Sequence, residues 1–181
     1  LKAEILFKNG NSNNIELFPF GLSNNNTSSF LTYGVEGKGG GSTYLSENGQ
    51  DSVEVVRFDD KFTIKQEAGL LWLDVEGHAV QAIEGMKFAL SRIILARVEV
   101  RLHNKNTDFI QDYDCVIQLM KTCDLIPIFG PIYPGFFGDI IFIDPTFASL
   151  KDKIRSKLLL IHMGVLHKIL YPAMKKPKLT D

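Results

Sequence analysis

The chain has 181 residues, of which 45% are hydrophobic and 23% charged, enough for one domain with a full core and short of two comfortable ones. Lysine and arginine number 20 against 21 acids, for a net charge of −1. No broad positive field draws such a chain to nucleic acid, so no nucleic-acid partner is expected.

Leu1 to Phe7 has helix-like apolar spacing that Asn9-Gly10 ends, and it lacks the basic flank and long apolar core of a signal peptide. Asn13 to Pro19 suggests a strand, leaving the sheet through Phe20-Gly21-Leu22-Ser23. Ser23 to Ser29 reads as a polar turn, and Phe30 to Tyr33 as a short strand. Gly37 to Ser42 is glycine-rich, but its lysine precedes the glycines and no helical pattern follows, so a mobile loop is expected and not a phosphate cradle. Ser52 to Phe58 alternates as a strand and runs into Asp59-Asp60.

Leu70 to Leu73 is apolar without alternation, which fits a strand covered on both faces. Three-four spacing then predicts a helix from about His78 to Leu90. Ile93 to Val100 is the next strand, and a helix capped by Asn106-Thr107-Asp108 runs to about Thr122. Cys115 and Cys123 lie roughly 12 Å apart along it, at about 1.5 Å per residue, too far to bridge; they read as buried thiols of a reducing, cytoplasmic compartment. Leu125 to Phe129 and Asp139 to Ile143 are short strands whose link is too short for a parallel crossover, so they should pair antiparallel. A last helix is expected over Leu150 to Leu170, followed by the basic tail Lys175-Lys176-Pro177-Lys178. Its apolar stretch is interrupted by His162, His167, Lys168 and Pro172 and falls short of the roughly 20 residues a spanning helix needs, so it reads as core or a homodimer face, with peripheral membrane contact open through the tail.

The chemistry concentrates at Asp74-Val75-Glu76-Gly77-His78, where an apolar strand meets a helix. In open α/β sheets such junctions face the ligand crevice. Asp74 and Glu76 could equally complement a helix N-terminus. For His78 the plain alternative is a helix-terminal surface residue, and for Glu99, inside an apolar strand, a paired structural acid. His103, His162 and His167 are scattered, without metal-pair spacing.

Asp74-Val75-Glu76-Gly77-His78, followed by Ile83-Glu84-Gly85-Met86 and Arg97-Val98-Glu99-Val100 and preceded by Phe58-Asp59-Asp60, resembles the FkbM family of S-adenosylmethionine-dependent methyltransferases over about Ile15 to Asp144. Trp72 stands where that family commonly has lysine, Ala79 replaces a second glutamate, and Met86 replaces alanine. The resemblance implies an open, mostly parallel Rossmann-like α/β sheet with an antiparallel C-terminal strand pair. It also implies that the first strands and their glycine-rich cofactor loop are missing, so that residues 1–148 form an incomplete class I domain and 149–181 a C-terminal helix and tail. The implied activity is O-methylation of a hydroxyl on a small molecule, sugar or glycan. By the resemblance Phe20, Gly21, Leu22 and Asp74 would hold S-adenosylmethionine. His78 would act as base, with Asp74, Glu76 and Glu99 orienting the acceptor or holding a divalent metal ion. The competing expectation is a non-catalytic binding module that keeps the fold without a working cofactor loop.

Overall fold

The computed structural model describes residues 18–33, 43–49, 51–64, 69–101, 110–130 and 137–161. The expected Leu1 to Phe7 helix, most of the Asn13 to Pro19 strand, the Gly37 to Ser42 loop, the Asn106 to Asp108 cap, His103, His162, His167 and the basic tail lie outside them. Phe18 and Pro19, the described end of that strand, have no regular structure.

Eight strands form two four-stranded sheets among the described residues. The first contains β1 (Gly21–Leu22), β2 (Thr27–Tyr33), β3 (Thr43–Ser46) and β4 (Asp51–Val56), in the order β1-β4-β2-β3. Only β1 and β4 are parallel in it; β2 runs antiparallel to both β3 and β4. The second holds β5 (Gly69–Leu73), β6 (Ile93–Arg101), β7 (Ile126–Phe129) and β8 (Phe137–Ile143), in the order β5-β6-β8-β7. There β5 and β6 are parallel, while β8 is antiparallel to β6 and β7. The fold is therefore mixed α/β, and the expectation of one open, mostly parallel sheet is corrected. Apolar periodicity identifies strands but says nothing about which sheet each joins, and hairpin-like pairing of β2 with β3 and β4 builds a separate, largely antiparallel sheet. The antiparallel pairing of the last two strands is as expected.

The helices are α1 (Phe58–Lys61), α2 (Ala79–Glu84), α3 (Lys87–Leu90), α4 (Ile110–Thr122) and α5 over 150–161. The single helix expected over His78 to Leu90 is two, divided at Gly85-Met86. Asp59 takes part in that division, because its carboxylate accepts the Phe88 N–H at 2.8 Å and the Ala89 N–H at 2.9 Å, starting α3 as a new helix. α5 starts on a reciprocal cap: Ser149 Oγ donates to Asp152 Oδ2 at 2.6 Å, and the Asp152 N–H returns to Ser149 Oγ at 3.2 Å.

The core lies between one face of the second sheet and helices α2 and α4. Leu73, Val98, Ile140 and Phe142 point from the strands toward Ile83, Val116 and Met120, each contributing roughly 2 kcal/mol by leaving water. Among the described residues β5 is covered on this face only. Leu71 and Leu73 turn inward, whereas Leu70 and Trp72 are 73% and 69% exposed. The expectation of a strand covered on both faces thus fails among the described residues, where β5 also ends its sheet.

Candidate functional site

The parallel strands β5 and β6 bring two segments of unlike charge pattern to one edge. After Leu73 the chain turns sharply, with Glu76 at φ 47° and Gly77 at φ 84°, and the His78 N–H donates to the Val75 carbonyl at 3.0 Å. Glycine tolerates this left-handed backbone, and Glu76 adopts it at a cost of about 1–2 kcal/mol. The turn folds Asp74 and Glu76 back over the end of β6. There Glu99 stands with them, one carboxylate oxygen of each residue within 4.8 Å of the others.

Two neighbouring carboxylates oppose the ionisation of Glu99. Burial, then the charges of Asp74 and Glu76, raise Glu99 from an ordinary 4.5 to about 7, helped by a hydrogen bond with Asp74. Such a group holds a proton near neutrality and can exchange it, and the same oxygen ligands have the chemistry of a hard divalent cation site. Next to the trio, Arg97 pairs with Asp139 and lies over the Trp72 ring at 4.2 Å from its centroid.

His78 is not part of the converging group. Its Nε2 lies 3.3 Å from Ser23 Oγ, and burial lowers its pKa below 6.5, leaving a neutral imidazole at neutral pH. Ser23 is itself buried and donates its N–H to the Val56 carbonyl at 3.0 Å. The contact ties the exit of β1 to the β5–α2 junction. Phe20, Gly21 and Leu22 therefore lead directly into a residue that touches His78. Phe20 joins an aromatic cluster with Phe18 and Phe62, at centroid separations of 5.7 and 5.6 Å, and Leu22 packs against the core. The expected residues thus form two groups, Asp74 with Glu76 and Glu99, and His78 with the Phe20 to Ser23 segment.

The sequence model described as the Methyltransferase FkbM domain matches residues 2–126. The chain belongs to the FkbM methyltransferase family. A search of the curated proteins and one of the solved structures return no match. The FkbM match contains β1 to β6 and the whole acidic trio, and it ends on the first residue of β7.

Within the FkbM segment, two motif residues have architectural roles that sequence reasoning missed. Asp59 caps α3, and Gly85 leaves room for the Ser23 carbonyl, which a β-carbon at position 85 would overlap. The Asp59-Asp60 and Glu84-Gly85 spacings were the available signal. Ser23 carried no local sign of its partner, which lies 55 residues away.

Proposed function

We propose that this FkbM protein transfers a methyl group from S-adenosylmethionine to a hydroxyl oxygen of a sugar, glycan or related metabolite. The observation that carries the reading is the convergence of Asp74, Glu76 and Glu99 at the carboxyl ends of two parallel strands inside the family segment. The residues suit the cofactor: carboxylates accept ribose hydroxyls and complement a sulfonium charge, while Phe20 and Leu22 offer an apolar flank to a flat purine. In this reading Asp74 and the Phe20–Leu22 segment hold the cofactor, which supplies an electrophilic methyl when bound.

The chain's own residues then have two tasks. Asp74 and Glu76 orient the acceptor hydroxyl by accepting hydrogen bonds, which converts an encounter into an aligned attack. Glu99 receives the hydroxyl proton as the oxygen gains the methyl, a role that a carboxyl poised near 7 fills at neutral pH. His78, held neutral and turned to Ser23, fixes the junction on which Asp74 and Glu76 ride.

Isothermal titration of the full-length protein with S-adenosylhomocysteine tests this. Binding that Asp74→Ala abolishes is expected. No binding, or equal binding by Asp74→Ala, overturns the enzymatic reading and leaves the binding module in its place.

A further inference from the structure

α5 presents an unusual outward face. At 3.6 residues per turn, Leu150, Ile154, Leu158 and Ile161 fall within an arc of about 80°. These four side chains are 75%, 52%, 61% and 63% exposed. Phe147, in the turn before the helix, adds a ring that is 62% exposed. The opposite side is anchored: Ser156 is buried, Leu160 packs against the core, and a methyl group at Gly130 would meet the Leu159 side chain at 3.4 Å. The apolar stripe is therefore held outward by packing on its other side.

The charges decide what covers it. Lys151 and Arg155 border the stripe on one side and Lys153 and Lys157 on the other, all exposed, while the one acid of the helix, Asp152, is engaged by Ser149. Two copies of this helix laid stripe to stripe would bring basic margins together, which opposes pairing. An anionic lipid surface offers the converse match, with acyl chains for the stripe and phosphates for its margins. No helix of the described residues is long and apolar enough to cross a membrane, and a helix apolar on one side and basic along both margins lies in the interface plane.

We infer that α5 docks the protein on anionic phospholipid bilayers, with Leu150, Ile154, Leu158 and Ile161 among the headgroups and acyl chain ends. Long basic side chains flanking such a stripe reach the phosphates while their stems cover apolar surface. The site would meet substrates held at a membrane surface, independently of what the acidic trio does to them.

Co-sedimentation of the full chain with vesicles tests the inference, comparing phosphatidylcholine mixed with phosphatidylserine against phosphatidylcholine alone. Binding to the anionic vesicles is expected, about tenfold or more above the neutral ones, and weakened by salt. Lys153→Glu with Lys157→Glu should lower it by a similar factor. Ile154→Glu, at an exposed position, should abolish it with an unchanged melting curve. Absence of vesicle binding, equal binding to both vesicle types, or binding that neither variant weakens overturns the inference. So does a concentration-dependent dimer that Ile154→Glu dissociates in the absence of any vesicle binding, which would assign the stripe to a second copy.

Discussion

The carbonyl oxygen of Ser23 occupies the space that a β-carbon on Gly85 would need. Gly85 has an ordinary helical φ of −81°, so closeness of the two backbone segments, not backbone freedom, requires glycine there. Gly85→Ala must push the exit of β1 away from α2, separating the two sheets where Ser23 also meets His78. A loss of about 3 kcal/mol or more is expected in denaturant unfolding. Gly77→Ala, strained by its φ of 84°, should lose about 1–2 kcal/mol. A Gly85→Ala protein as stable as the parent would refute the assignment.

Asp59 joins α1 to α3 through two N–H groups that have no other helical partner. Replacing it by alanine should cost about 1–2 kcal/mol, and asparagine should recover part of that. Thermal melts of the two variants make the comparison, and indistinguishable melts would show that the cap is immaterial.

Glu99 and His78 give stability opposite pH dependences. Glu99 is raised in the folded chain to about 7 from 4.5, so the folded state binds the extra proton; this contribution is present at low pH and is lost as pH rises from 4.5 to about 7. Glu99→Gln should remove that decline. If Glu99 also receives the acceptor proton, methyl transfer should rise as pH passes through about 7 in the parent, and this rise should vanish in Glu99→Gln. An unaltered stability profile in the variant would count against the raised carboxyl, and an unaltered rate profile against its role as base.

His78 works the other way. Its folded pKa lies below 6.5 because of burial, so its contribution is complete above 6.5 and is lost as pH falls through the folded value. Ser23→Ala removes the hydroxyl facing Nε2 and should cost about 1 kcal/mol at neutral pH. Ring-proton titration by NMR should show a lowered His78 pKa in both proteins, since burial causes it. A return to 6.5 in Ser23→Ala would instead make the hydroxyl the cause.

Elements with strong local signals were legible in the sequence. The apolar runs Leu125 to Phe129 and Asp139 to Ile143 with a short link specified an antiparallel pair, and the strand entering Asp74-Val75-Glu76-Gly77 specified a sharp junction. The link between Asp74 and Glu99 was legible only through motif spacing, because nothing local to Glu99 names a partner across a strand pair. Three features were not legible. Division of the strands into two sheets depends on long-range pairing, and the break at Gly85 depends on a carbonyl arriving from residue 23. The exposure of Leu70 and Trp72 depends on which face of β5 the helices cover, and an unbroken apolar run gives no sign of that.

Trp72 is the chain's single tryptophan, and it stands two residues before Asp74 with its ring in water under the Arg97 guanidinium. The molecule therefore carries its one indole fluorophore, excitable selectively on the red side of its five tyrosines, beside its acidic edge. A ligand settling there would screen the indole from solvent, moving its emission toward the blue and slowing collisional quenching by acrylamide. Occupancy of the site can be followed optically in the unlabelled protein, with Trp72→Phe as the dark control.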